Sequence, residues 1–209
     1  MTKSKCGILY TIGHSNHTIE DFIGLLKRHK VTAVVDIRSS PYSRYCPQFN
    51  KDILAAVLQA ANIAYIFSGK ELGGRPKDPS CYEGGCASFQ RIAESKEFKH
   101  GLQRLLYETS KYCIVLMCKE KEPLECHRTI LVCRYLKEHN LCIKHILEDG
   151  NIEEHPDAER RLVKMLKIEP MLFETRKTET DIVERAYDQQ AQRISYQSKE
   201  VKETYEQAK

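Results

Sequence analysis

A three-layer α/β domain, with a mostly parallel sheet of about five strands and a charged C-terminal helix behind it, is the architecture this sequence predicts. Three observations lead to it. Short apolar runs rich in β-branched residues alternate with amphipathic helical segments over residues 7–167. The runs are continuously apolar, as strands covered on both faces must be. Glycine, proline and polar residues punctuate the junctions, so each run ends sharply. Strands alternating with helices in this way imply crossovers that return each strand parallel to the last.

The first strand is read at Ile8–Ile12, followed by GHSNHT and a helix from Ile19 to His29 with apolar residues at Ile19, Phe22, Ile23, Leu25 and Leu26. Thr18 with Asp21 makes the capping pair that starts this helix. Thr32–Ile37 is the second buried strand, Lys51–Ala61 a helix, and Ala64–Phe67 the third strand. The stretch GKELGGRPKDPSCYEGGC, 69–86, reads as a long irregular loop, a type that in compact domains is usually functional or mobile. A helix near Glu97–Thr109, a strand at 112–117, a helix opening at Cys126–Arg128, a strand at Cys142–Leu147 and a helix at Asp157–Leu166 complete the series. The whole reads as Rossmann-like. Residues 1–170 form the domain and 171–209 a charged extension, whose sparse apolar positions (Ile182, Ala186, Ile194, Val201, Tyr205) suit a marginal helix that projects, docks or meets a partner.

The chain has 209 residues, enough for one substantial core. The N-terminus has no long apolar segment, and no run approaches the roughly 20 residues of a membrane span. Nine cysteines, an odd number, predict reduced thiols in a cytoplasm rather than a disulfide framework. A net charge of +4 permits an anionic ligand without marking a nucleic-acid surface.

In a parallel sheet, ligands bind beyond the carboxyl ends of the strands, so the residues just past each strand carry the functional reading. Here they include His14 and Ser15, Asp36 and Arg38, Gly73 and Gly74, then Cys118 and Glu120. The segment IVLMCKEKEPLECHRTILVCRYL, 114–136, is the densest: a thiol ends a strand, and Cys126, His127 and Arg128 open a helix whose free N–H groups and dipole favour an anion and a lowered thiol pKa. Cys113 and Cys133 read as core residues. Asp36 and Arg38, two apart on an extended chain, are either an internal ion pair or an anion clamp with its orienting base. Ser43 is a further phosphate donor. The GGRP turn lacks the G-x-G-x-x-G spacing of a dinucleotide site. Nor does an arginine follow either cysteine at the sixth position, where Leu124 and Val132 stand, so tyrosine-phosphatase chemistry is excluded.

The segments YTIGHSNHTIEDF (10–22), VVDIRSSPYSRYCPQFN (34–50), ELGGRP (71–76) and LMCKEKEPLECHR (116–128) together resemble domain-of-unknown-function family 488 of bacteria and archaea. The resemblance covers about residues 8–150 and excludes the tail. It singles out His14, Ser15, Asp36, Arg38, Cys118, Cys126, His127 and Arg128 as signature positions. VVDIR is also similar to the strand end of rhodanese-type sulfurtransferases, an analogy at the level of fold.

Three functional readings follow. In the first, an enzyme binds a phosphorylated ligand, a nucleotide or a nucleic-acid end, with Ser15, Arg38, Ser43, Gly73, Gly74 and Arg128 holding it, and Cys118, Cys126, His127, Glu120, His14 and Asp36 supplying nucleophile, acid and base. In the second, Cys118, Cys126 and His127 form a thiol-redox or metal module, with zinc or iron as the cofactor, although no motif requires one. A non-catalytic anion-binding domain that oligomerises through the C-terminal helix is the third alternative.

Overall fold

A computed structural model describes residues 7–168 and 178–197. It contains a six-stranded sheet. Five strands are parallel: β1 (Gly7–Gly13), β2 (Ala33–Asp36), β3 (Ala64–Phe67), β6 (Ile114–Cys118) and β7 (Leu141–Ile146). The sixth, β8 (Ile152–Glu154), lies antiparallel on β7 and is too short to leave a periodic pattern in the sequence. The order is β3-β2-β6-β1-β7-β8. The strand paired last in the chain's middle third, β6, therefore lies between β1 and β2.

Helices cover both faces, which is why the strands are apolar throughout. Alternate strand residues divide between two cores. Ile12, Val34, Val115, Met117 and Ile146 pack with Phe22 and Leu26 of α1 (Ile19–Arg28) and Leu54 and Leu58 of α2 (Lys51–Ala60). Leu9, Val35, Ile114, Leu116 and Ile143 face α3 (Phe89–Glu94), α4 (Lys96–Thr109), the Ile130–Leu136 segment and α6 (His155–Met165). Thr18 caps α1 by accepting the Asp21 N–H at 3.1 Å.

Several local expectations are corrected. Cys126 does not lie in a first helical turn: it is extended (φ −133°, ψ 139°), at the end of a 3-10 turn over Pro123–Glu125. Helical winding begins at His127, and Arg128–Cys133 is wound as a π-helix before α5 (Arg134–Leu136). Proline at the first position of the 3-10 turn suits its start, since the missing N–H has no partner there in any case. Helix α3 went unread because its six residues follow a loop without a break in polarity. That loop also holds a small hairpin, β4 (Tyr82–Glu83) with β5 (Cys86–Ala87), turned by Gly84 and Gly85 at positive φ. Cys133 is in the core, but Cys113 is only half-buried. Cys142 is disulfide-bonded, whereas the other seven described cysteines are free thiols. An odd count excludes complete pairing, not a single bridge.

The C-terminal helix α7 (Glu179–Ile194) opens on a capping box, Thr178 with Asp181, and docks on the domain. Ala186, Tyr187 and Gln190 are buried. Gln190 donates to the Leu124 carbonyl at 2.9 Å, and Arg134 pairs with Glu184 and Asp188. Of the sparse apolar positions, Ala186 and Ile194 pack on the chain's own core; Val201 and Tyr205 lie outside the described residues. No helix among the described residues is long and apolar enough to cross a membrane.

Candidate functional site

Register brings three strand ends together. Gly13 of β1 pairs with Cys118 of β6, and Asp36 of β2 pairs with Met117 of β6. The His14 N–H bonds the Cys118 carbonyl at 2.8 Å, so the chain leaving β1 stays against the chain leaving β6.

Beyond that edge, the side-chain donors of Cys118, Glu120, Cys126 and His127 all lie within 4.8 Å of one another. Cys118 Sγ and Cys126 Sγ both donate to Glu120 Oε2, at 2.9 and 3.2 Å. The same two sulfurs stand 3.6 and 3.9 Å from His127 Nδ1. His127 Nε2–H donates to the Ile37 carbonyl at 3.0 Å, which fixes the ring and turns Nδ1 toward the sulfurs. Burial raises both thiols. At Cys126 the hydrogen bond from Cys118, the Arg128 charge and His127 outweigh burial and bring the thiol down to about 6, while Cys118 stays well above the ordinary value. Burial lowers His127, but Cys126 and Glu120 leave it raised on balance. Burial raises Glu120, but thiol hydrogen bonds and His127 hold it down near about 2.

The second group is His14, Asp36 and Arg38. Asp36 is fully buried and holds Arg38 through two oxygens, at 2.9 and 2.7 Å, while Tyr65 donates to it at 2.7 Å. Arg38 also donates to the Phe49 carbonyl at 2.8 Å and to His14 Nε2 at 3.1 Å. His14 Nδ1–H donates to the Ser15 carbonyl at 3.0 Å and the ring stacks on Phe49. Both nitrogens are thus committed. Burial and the Arg38 charge lower the histidine to about 4, so it is neutral here. The internal ion pair is what the geometry holds, with Arg38 lining the cavity and one Nη1–H uncommitted, while the fully buried Asp36 does not line it.

Arg128 is placed differently from the anion clamp expected of it. It is fully buried, and its guanidinium donates to the carbonyls of Glu120 and Lys121, the latter at 2.9 Å. Its role is to hold the loop that carries Glu120. Gly13 lies under the same loop; a Cβ there would stand 1.9 Å from the Glu120 carbonyl oxygen. At Gly74 a Cβ would press the His127 ring at 3.2 Å. Among the sequence-selected residues, His14, Arg38, Ser43, Gly74, Cys118, Glu120 and His127 line one cavity of about 300 Å³. Cys126 sits just behind its wall. Ser15, Asp36, Gly73 and Arg128 do not line it, and the Ser15 hydroxyl is turned to Asn16.

Residues to which the sequence assigned no site role complete the cavity: Ser39, Arg75, Lys119, Ile194 and Tyr196 among them. Ser39 and Arg75 stand just past strand ends, where the sequence reading does look, but nothing in the sequence gave them a role. Ile194 and Tyr196 come from the C-terminal extension, where no spacing signal pointed inward.

A family model described as "Domain of unknown function DUF488" matches residues 18–135. No curated protein and no solved structure matches the chain.

Proposed function

The chain belongs to the DUF488 family, and from that premise we propose that it is a zinc-dependent enzyme acting on a small anionic ligand, a phosphorylated compound or nucleotide. One observation carries the reading: four donors of the right kinds converge on one point. Zinc bonds of about 2.3 Å to sulfur and about 2.0 Å to nitrogen or oxygen imply tetrahedral edges of roughly 3.4–3.8 Å. The sulfur–nitrogen distances of 3.6 and 3.9 Å lie within this range and just beyond its long end. The sulfur–carboxylate distances of 2.9 and 3.2 Å are shorter than these edges, at hydrogen-bond length. Two sulfurs with one imidazole favour zinc over harder cations. The His127 bond to a backbone carbonyl is the supporting contact such a ligand needs.

Cys118, Cys126 and His127 hold the ion in this reading. Glu120, the hard donor on the cavity side, is the ligand that yields to water or substrate. The ion would polarise a ligand oxygen or lower the pKa of a bound water. Arg38 and Ser43, in the lining of the same cavity, offer donors to the anion. Elemental analysis of untagged protein tests this: about one zinc per chain is expected. Cobalt reconstitution should give thiolate-to-metal charge-transfer absorption that Cys118→Ser and Cys126→Ser each diminish. Metal below about a tenth per chain after zinc reconstitution overturns the reading.

The closeness of the two sulfurs and the lowered Cys126 thiol favour a second reading, a thiol-redox pair. Loss of two titratable thiols on mild oxidation of metal-free protein, absent in Cys118→Ser, would support it.

A further inference from the structure

We propose that Arg75 is the oxyanion-holding residue of the cavity and that the chain's own C-terminal segment, through Tyr196, pre-orients it for a phosphate group. This deepens the ligand half of the reading above and rests on the cavity taking an oxyanion, independently of whether zinc is bound.

The argument begins with the cations that line the cavity. Arg38 has four of its five N–H groups committed, to Asp36, Phe49 and His14. Arg128, the other arginine of the sequence motif, points its guanidinium at two loop carbonyls. Arg75 differs from both: its guanidinium has no hydrogen-bond acceptor or carboxylate partner among the described residues. Its backbone is nevertheless fixed, with the N–H bonded to Ser39 Oγ at 3.0 Å and the next residue's carbonyl held by the Tyr82 hydroxyl at 2.8 Å. The guanidinium lies over the Tyr196 ring, 4.5 Å from its centre. Stacking occupies the face of the guanidinium and leaves its edge free, and the edge is what pairs with two oxygens of a phosphate.

Tyr196 is itself anchored. Its carbonyl accepts the Ala87 N–H at 2.8 Å, and Gln197 bridges to Cys86. The preceding α7 is held by Gln190 and by the Arg134 ion pairs. A cation without an acceptor among the described residues is therefore set against an aromatic ring by two segments more than a hundred residues apart, one inside the family match and one beyond it. Ser40 and Ser43 in the same lining add hydroxyl donors, and about 300 Å³ suits a phosphate or a small phosphate ester.

Calorimetric titration of the full chain with inorganic phosphate and with glycerol phosphate, at low ionic strength, tests the proposal; zinc content and far-UV circular dichroism are measured on the same samples. Saturable binding is expected, tighter for the ester if the ester is the physiological form. Arg75→Gln should weaken it at least about tenfold. Tyr196→Phe should leave it unchanged, and Tyr196→Leu, which keeps bulk without the aromatic face, should weaken it about two- to fivefold. Wild-type protein that binds neither compound, or Arg75→Gln that binds as tightly as wild type, overturns the proposal. Phosphate binding by protein that takes up no zinc on reconstitution counts for Arg75 while the metal reading falls, so the two fail separately.

Discussion

Two buried polar clusters built around histidine occupy this domain, and they are organised in opposite ways. In one, Thr11, His145, His155, Tyr187 and Glu159 form a line. Thr11 Oγ1 meets His145 Nδ1 at 2.8 Å, His145 Nε2 meets His155 Nδ1 at 3.0 Å, His155 Nε2 meets the Tyr187 hydroxyl at 3.1 Å, and Tyr187 donates to Glu159 at 2.9 Å. A single direction of donation satisfies every member: each ring accepts on one nitrogen and donates from the other. Nothing is left over, and none of these residues lines the cavity. In the other cluster two thiols compete for one carboxylate oxygen and one imidazole nitrogen. A line that closes its own hydrogen bonds is scaffolding; here it ties β1 and β7 to α6 and α7. Donors that converge on a point, with more capacity than partners, leave room for an ion.

The sharpest way to break this contrast is to remove one member of each cluster. Cys126→Ala should take zinc from about one per chain to below about a tenth, whereas His145→Gln should destabilise the fold and leave zinc content unchanged. Zinc lost equally in both would erase the distinction.

Acid separates the clusters next. Burial lowers His155 to about 4 and His145 well below its ordinary 6.5. Below 6.5 the unfolded chain takes up protons that the folded chain refuses. The stability contributed by neutral His155 is therefore fully present above pH 6.5 and fades as the pH falls toward about 4, by roughly 3 kcal/mol in all. Denaturant unfolding of metal-free protein at pH 7 and pH 4.5 measures the fall, which should flatten in His155→Gln. An equally steep fall in that variant would assign the effect elsewhere.

Tyr187→Phe removes one link of the line and leaves His155 Nε2 without its acceptor, at an expected cost of about 1–2 kcal/mol with zinc retained. The smallest effect sharpens the other cluster. Gly74→Ala presses the His127 ring by a few tenths of an ångström, so zinc should be lost faster to a chelator while stability changes by less than about 1 kcal/mol.

Much of the site was legible before folding. Cys118 could be placed at a strand end because Ile114–Met117 is continuously apolar and the chain turns polar at once. His14 and Arg38 followed by the same reasoning from their own strands. The direction of Arg128 could not be read, since a guanidinium on a flexible stem of three methylenes can turn outward to an anion or inward to carbonyls with the same sequence. The C-terminal helix was visible as amphipathic only weakly, because Tyr187 and Gln190 are buried through polar contacts that a count of apolar residues overlooks.

The sequence by itself determined the alternation of strands and helices, the apolar strands that demand cover on both faces, the family, and the concentration of thiol, imidazole and carboxylate between residues 118 and 127. These are local properties, set by periodicity and by what a short segment can bury. Only the tertiary structure decided that β6 inserts between β1 and β2, which brings His14, Arg38 and Cys118 to one edge, and that Tyr196 returns from the far end of the chain to lie under Arg75. Strand order and helix docking depend on which faces complement one another across long separations, and no window of the chain carries that information.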